Sequence, residues 1–241
     1  MHFTYKAYKK LIETLKNNGY SLADYHNDDI LKKSVMLRHD VDSSLEKALS
    51  FAQYEQQLGV KSTYFVLLTS NFYNIASQKS RNILKQIQEM GHEVGLHFDE
   101  MAYGALKKES LIQCIEKEAE IMRQITGLEI STVSMHRPSK QTLEGDYVLP
   151  SLVNSYSQKY FKAYKYLSDS RMHWRENVLE VIESNAFDHL HILTHPSWYN
   201  EEERSMKACL KDFIGSANKE RYDFMNENFR DLENVLKREE I

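Results

Sequence analysis

The chain has 241 residues, and its 31 lysines and arginines against 35 aspartates and glutamates give a formal net charge of −4. This balance excludes a strongly basic nucleic-acid-binding protein. A hydrophobic fraction of 41% with 27% charged residues is typical of a globular protein and excludes a disordered one. The longest apolar and aromatic run, 64–68, is far shorter than the roughly 20 residues of a membrane helix, so we expect no membrane span.

The N-terminus and the two cysteines bear on the compartment. The first six residues lead directly into a charged helical pattern, without the apolar core and cleavage site of a signal peptide, which favours a cytoplasmic location. Cys114 and Cys209 lie far apart in helix-like segments, so they indicate neither a disulfide framework nor a zinc knuckle. We expect both thiols to be reduced.

The predicted elements alternate between short β-branched runs and longer segments of helical periodicity, which is typical of βα units around a mostly parallel sheet, either a barrel or an open sheet. No repeat or linker interrupts the chain, so we predict one domain over 1–241. A helix over 4–18, ended by Gly19, comes first, and an irregular segment covers 20–33. The predicted strands are 35–39, 60–68, 93–97, 131–135, 164–168 and 190–194. The predicted helices are one that begins near Ser43 and ends at Gly59, then 79–90, 107–126, 175–184 and a charged tail over 201–238, with a loop over 137–160.

Ionisable residues follow five of the predicted strands. Ligands collect at the carboxyl ends of parallel strands, where loops vary without disturbing the core. Unpaired charges near a core are costly, so their convergence suggests a cation or a reacting group. The strand ends read His39-Asp40-Val41-Asp42, His97-Phe98-Asp99, His136-Arg137-Pro138, Ser168-Asp169-Ser170 and His195-Pro196.

The first strand end predicts a metal site. Asp40 and Asp42 are two residues apart, so in an extended chain both side chains lie on the same side. Two close carboxylates repel each other unless one is protonated or a metal neutralises it, and His97 and His136 offer the neutral imidazoles that zinc prefers. An Asp-His-His set with an open position is typical of a catalytic zinc site.

Each of these residues also has a purely structural interpretation. Asp42 could cap the helix that begins near Ser43, and His97 or His136 could be an ordinary hydrogen-bonded histidine. His195 could simply close a strand, and Asp169 between two serines could form a turn. His39 and His92 precede the motifs and are interpreted as structural or supporting residues. The structural interpretation is plausible for each residue alone but not for all of them together.

The order of these motifs resembles the polysaccharide deacetylase superfamily, also called the NodB-homology or carbohydrate esterase family four group. The resemblance covers about residues 35–200 and looks closest to a divergent branch with a Leu-Arg-His-Asp-Val-Asp strand, here at 37–42. It implies a distorted (β/α) barrel of about seven strands with a divalent metal, usually zinc, at the strand ends. The N- and C-terminal helices are additions to this core. The matching motifs are His-Asp-Val-Asp at 39–42, Gly-His-Glu-Val-Gly-Leu-His at 91–97, His-Arg-Pro at 136–138, Asp169 and Leu-Thr-His-Pro at 193–196.

The resemblance also implies roles. Asp40 is the general base and Asp42 a metal ligand, although these two roles could be exchanged, and His195 is the general acid. Arg137 orients the catalytic aspartate, and Asp169 tunes the catalytic histidine. The family's second motif normally has two histidines four residues apart, but Met101 stands where the second would follow His97. Either His136, which we prefer, or Asp99 completes the site, or the metal is held weakly.

The implied activity is metal-dependent removal of an acyl group, most simply acetyl, from an N-acylated small or oligomeric sugar, as in surface-polysaccharide biosynthesis. Trp198 and Tyr199, directly after His195-Pro196, could stack on a sugar ring, and Trp174 could form a pocket wall. The alternatives are hydrolysis of a cyclic or formyl amide and a degenerate barrel that only binds carbohydrate. The tail is expected to pack on its own barrel in a monomer, or to pair with a second copy.

Overall fold

The computed structural model describes residues 1–27 and 32–241 and forms two compact units, Met1–Glu201 and Glu202–Ile241. Whether the second unit packs on the first, as the sequence predicts, stays a prediction. In the described residues, no helix combines the length and the apolar character needed to cross a membrane.

The first unit is built on a parallel sheet. Its strands are β1 (Ser21–Ala23), β2 (Ser34–Val41), β3 (Thr63–Val66), β4 (Glu93–Asp99), β5 (Thr132–His136), β6 (Val153–Asn154), β7 (Lys165–Ser168) and β8 (His189–Thr194). Seven strands follow the order β6-β5-β4-β3-β2-β8-β7, and β1 pairs with β2 outside this path. The sheet is curled. Within the described residues no ladder joins its edge strands β6 and β7, so it forms a half-barrel and not a closed barrel. The predicted barrel-type α/β fold of about seven strands is thereby confirmed.

Helices flank this sheet. They are α1 (Tyr5–Asn17), α2 (Leu45–Gln57), α3 (Gln78–Glu89), α4 (Lys108–Thr126), α5 (Lys140–Glu144) and α6 (Val178–Glu183). Their apolar faces and the strands form one large core that includes Tyr8, Phe51 and Leu84. The helix ends follow the predicted signals: Gly127 takes the left-handed conformation that closes α4, at φ +72°, and its N–H donates to Arg123 O. The predicted loop over 137–160 contains α5 and β6.

The start of α2 decides between two interpretations of Asp42. The N-cap of α2 is Ser44, whose side chain accepts a hydrogen bond from Lys47 N at 3.2 Å. Asp42 lies two residues earlier and does not cap the helix. The capping interpretation of Asp42 is therefore wrong, and this carboxylate is available for another role.

The second unit is mainly the long helix α7 (Met206–Asn228), followed by two short 3₁₀ turns. The Tyr222 hydroxyl donates a hydrogen bond to Leu236 O at 2.9 Å, and Arg238 forms an ion pair with Asp223. The helical tail predicted over 201–238 is thus shorter and more broken than the sequence pattern suggested.

A buried carboxylate on α4 gives the fold a pH dependence. Burial raises the pKa of Glu118 to about 7, while the hydrogen bond from Tyr103 partly opposes it. A raised carboxyl pKa stabilises the fold fully below pH 4.5, and this stabilisation is lost as the pH rises through 7. We expect Glu118→Gln to raise the free energy of unfolding by about 2 kcal/mol at pH 8 and to change it little at pH 4.5. Urea unfolding at the two pH values measures this, and an equal effect at both would contradict it.

Candidate active site

The strand ends bring the predicted residues together. Arg38, Asp40 and Asp42 alternate along the end of β2, so their side chains share one face of the strand. Asp40, Asp42 and residues at or just beyond the carboxyl-terminal halves of β4, β5, β7 and β8 line one cavity of about 350 Å³. The cavity is lined by Asp40, Asp42, His97, Met135, His136, Arg137, Pro138, Tyr156, Tyr166, Ser170, Arg171, Leu193, His195 and Trp198.

Three predicted metal ligands meet at the floor of this cavity. Asp42 Oδ1 lies 3.3 Å from His97 Nε2 and 3.3 Å from His136 Nδ1, and the two ring nitrogens are 3.2 Å apart. In the described residues these three side chains form the cluster whose ligand atoms could hold a metal ion. Donor atoms about 2.0–2.2 Å from one zinc ion at tetrahedral angles lie about 3.3–3.6 Å apart. The spacing of the three ligand atoms is therefore close to the spacing that a divalent ion requires.

The electrostatics of this cluster favour a cation. Burial raises the pKa of Asp42, but the close contacts with His136 and His97 and the charges of His97 and His195 outweigh it and lower the pKa well below the usual range. Asp42 is thus a carboxylate at any ordinary pH. Its Oδ1 is buried and has no well-formed hydrogen bond in the described part of the chain. A buried carboxylate oxygen without a hydrogen bond is costly in free energy, and a bound metal ion would offset that cost.

Asp40 is held by an arginine that the sequence analysis did not identify. Arg38 is completely buried, and its Nη2 donates to Asp40 Oδ2 at 2.9 Å while its Nη1 donates to Ser155 Oγ at 3.0 Å. The guanidinium also lies 5.1 Å from the centre of the Tyr156 ring. Asp40 Oδ1 is buried and makes no hydrogen bond to a described residue. One carboxylate oxygen is therefore fixed and the other is available at the cavity.

The role assigned to Arg137 is wrong in this structure. Its guanidinium forms an ion pair with Asp99 and does not contact Asp40, whose arginine partner is Arg38. Asp99 also accepts from Met101 N at 3.2 Å. With its carboxylate engaged in this way, Asp99 is not part of the cluster, and His136 completes it. The signal for Arg38 was the two-residue alternation that already linked Asp40 with Asp42.

His195 and Asp169 form a second buried pair beside the cluster. Asp169 accepts twice from His195, from Nδ1 at 2.6 Å and from the backbone N–H at 3.1 Å. Burial lowers the pKa of His195, but the charge and hydrogen bond of Asp169 outweigh this and raise it to about 9. The other ring nitrogen, Nε2, lies 3.8 Å from Asp42 Oδ2. The pair is therefore arranged as an oriented proton donor next to the candidate metal cluster.

A buried hydrogen-bond network joins the adjacent strands β2 and β8 to helix α2. His39, between Arg38 and Asp40, contacts Thr194 Oγ1 at 2.6 Å through Nδ1 and Glu55 Oε1 at 3.1 Å through Nε2. Glu55 also accepts from Ser62 and Tyr64, and His92 lies 3.6 Å from its Oε2. Burial raises the pKa of Glu55, but the charge and hydrogen bond of His39 lower it to about 2. The interpretation of His39 and His92 as supporting residues agrees with these contacts.

The aromatic predictions have different outcomes. Trp198 is half-buried and lines the cavity, as expected of a residue that could stack on a sugar. Tyr199 is completely buried against Phe51 and Tyr8, so it cannot contact a ligand. Trp174 is 8% exposed, belongs to the core and does not line the cavity. The interpretation of Tyr199 and Trp174 as substrate contacts is therefore wrong, and Tyr156 and Tyr166 are the aromatic wall residues that the sequence analysis missed.

Comparisons with known proteins give matches of structure only. No family model and no curated protein matches the sequence. A family 4 carbohydrate esterase from Bacillus anthracis is 17% identical, with 91% of this chain and 86% of that chain covered and a TM-score of 0.44. The catalytic domain of a peptidoglycan N-acetylglucosamine deacetylase from Eubacterium rectale is 16% identical, with 76% and 83% covered and a TM-score of 0.45.

A family 4 carbohydrate esterase pseudoenzyme from Bacillus anthracis is also similar, at 15% identity, with 78% of this chain and 62% of that chain covered and a TM-score of 0.43. The similar structures thus include an esterase, a deacetylase and a pseudoenzyme. Two of the three are named as family 4 carbohydrate esterase proteins, and the third is named as a peptidoglycan deacetylase.

Proposed function

We propose that this protein is a metal-dependent hydrolase that removes an acyl group, most simply acetyl, from the nitrogen of an N-acylated sugar. One observation carries the proposal: ligand atoms of Asp42, His97 and His136 lie within 3.3 Å of one another beside the Asp169–His195 pair. A cluster of metal-ligating side chains alone would suit many roles. Such a cluster next to an oriented proton donor and a carboxylate oxygen without a hydrogen bond suits hydrolysis.

Asp42, His97 and His136 would hold the ion, and the mixture of imidazole and carboxylate suits zinc. When bound, such an ion would polarise the acyl carbonyl and lower the pKa of a water molecule to about 7, so that water can attack an amide at neutral pH. The zinc identity and the cytoplasmic location stay predictions.

Asp40 would act as the general base. Its Oδ2 is fixed by Arg38 at 2.9 Å, while its Oδ1 has no hydrogen bond to a described residue and lies at the cavity. The attacking water would pass its proton to this free oxygen. Arg38 would keep the carboxylate in one orientation throughout, because a fixed base needs no reorganisation during the reaction.

His195 would act as the general acid. An amine leaves an amide only when its nitrogen is protonated, so a proton donor must face the bond that breaks. Asp169 holds Nδ1 of His195 at 2.6 Å and leaves Nε2 toward the cavity. Proton transfer from Nε2 to the leaving nitrogen would complete the reaction, with acetate and the free amino sugar as products. Trp198, Tyr156 and Tyr166 would contact the sugar ring through their aromatic faces.

The test combines metal analysis with acetate release from N-acetylated sugars. We expect Asp42→Ala and His97→Ala to lose both the bound zinc and the activity, because each removes one of three protein ligands. Asp40→Asn should retain zinc and lose activity. The matched control is His173→Ala, since this exposed histidine follows the same strand as Asp169 but does not line the cavity.

The outcomes separate the alternatives. Zinc binding with turnover of cyclic or formyl amides, but not of N-acetyl sugars, would favour the rival hydrolase. Zinc retained by both Asp42→Ala and His97→Ala would contradict the assigned ligands. A protein that binds no zinc after dialysis against it, yet still binds sugar, would favour a degenerate binding barrel.

A further inference from the structure

Arg171 lines the same cavity and has no role in the proposed chemistry. Arg38 is paired with Asp40, and Arg137 is paired with Asp99. In the part of the chain that the structure describes, the Arg171 side chain has no hydrogen-bond or ion-pair partner. A cation thus faces the substrate cavity without a protein anion to neutralise it.

The backbone fixes this arginine in the turn that follows β7. Arg171 has φ +57° and Met172 has φ +54°, so two successive residues other than glycine take the left-handed conformation. Two hydrogen bonds stabilise the turn: Ser170 N donates to Ser168 Oγ at 3.2 Å, and His173 N donates to Asp169 O at 3.2 Å. Uncommon backbone conformations of this kind concentrate at ligand sites. Arg171 is therefore held at the cavity by the same turn that contains the partner of His195.

The acidic residues of the cavity are not available to Arg171. Asp40 is engaged by Arg38, and Asp42 lies among His97, His136 and His195. These are the two carboxylates among the described cavity-lining residues. The remaining partner of suitable charge for Arg171 is one that a ligand brings.

We propose that Arg171 binds an anionic substituent of the substrate, so that the substrate class is acidic N-acylated sugars. This inference rests on the proposed function, because it assigns the charge of the sugar that enters the site. The planar guanidinium pairs with a carboxylate or a phosphate through two parallel hydrogen bonds, and both substituents share this chemistry. The anion would orient the sugar while the aromatic wall contacts its ring.

The experiment measures the binding of matched sugars by calorimetry, with a chelator present. Chelation prevents turnover and prevents the anion from binding a metal ion in place of Arg171. N-acetylglucosamine is the neutral probe, N-acetylmuramic acid adds a carboxylate, and N-acetylglucosamine 6-phosphate adds a phosphate. We expect at least one anionic probe to bind about tenfold more tightly than the neutral one, and the two anionic arms show which anion fits.

The variants identify the residue responsible. Arg171→Asn removes the charge but keeps a side chain that tolerates left-handed backbone, and it should abolish the anion preference. Arg171→Lys should restore part of it. Arg175→Asn is the matched control, because this exposed arginine lies four residues further along and does not line the cavity. It should leave the preference unchanged.

Equal binding of neutral and anionic probes, or a preference that survives Arg171→Asn, would overturn the inference. The proposed function fails separately, in an acetate-release assay of the zinc-loaded protein without chelator on the same probes. Acetate release without anion preference would retain the function and reject this inference, whereas anion preference without acetate release from any probe would support the anion site and reject the function.

Discussion

Replacing His195 with alanine is expected to lower kcat by about 10²–10⁴-fold, the usual contribution of a positioned general acid, while zinc content stays unchanged. The reason is geometric. His195 Nε2 lies 3.8 Å from Asp42 Oδ2 but is not one of the three clustered side chains, so its loss would remove the proposed proton donor and leave the candidate metal site complete. Single-turnover acetate release and zinc analysis of the same sample measure the two effects together.

Asp169→Asn provides the companion variant. It keeps the size of the side chain but removes the charge that holds His195 Nδ1, and it should lower kcat less than His195→Ala does. Loss of zinc in His195→Ala would contradict the assignment, because it would make this histidine a ligand. Unchanged kcat would equally reject it as the acid.

Replacing Glu55 with alanine is expected to lower the free energy of unfolding by about 3–5 kcal/mol. Glu55 is completely buried and accepts hydrogen bonds from Tyr64 and Ser62, and it pairs with His39. Without the carboxylate, the buried Tyr64 hydroxyl and His39 Nε2 lose this acceptor, and each loses its hydrogen bond without gaining water.

Urea unfolding followed by circular dichroism measures this loss. Gln56→Ala is the control, since it removes an exposed side chain from the adjacent position of α2 and should cost little. The loss of unfolding free energy in Glu55→Gln should lie between those of Glu55→Ala and Gln56→Ala, because the glutamine amide oxygen can still accept hydrogen bonds. A stability equal to that of the parent protein in Glu55→Ala would show that the network contributes nothing to the fold.

The parts of the fold and site that the sequence predicts are those with a strong local signal. The alternation of Asp40 and Asp42 depends only on the geometry of an extended chain, so their common side followed from spacing. Gly127 ended α4 where predicted because a left-handed residue closes a helix almost independently of tertiary context. The convergence of His97 and His136 followed from parallel strands whose carboxyl ends meet at one edge.

The missed features depend on three-dimensional contacts. Whether Arg38 or Arg137 holds Asp40 is decided by side-chain reach across the barrel interior, which spacing does not show. Tyr199 reads as an exposed aromatic beside Trp198, yet the chain turns it into the core against Tyr8. The short strands β1 and β6 have too few residues to show a period, and pairing with long neighbours forms them.

The direct pairing of β2 with β8 has an evolutionary consequence. His39 and Thr194 are partners in this ladder; Asp40 follows His39 on β2, and His195 directly follows Thr194 at the end of β8. The separation of the proposed base and the proposed acid is therefore set by the backbone hydrogen bonds between β2 and β8. The turns that carry Arg171 and Trp198 can diversify through insertion or substitution without altering that separation, so under the proposed function the sugar preference can change while the proposed base and acid keep their places.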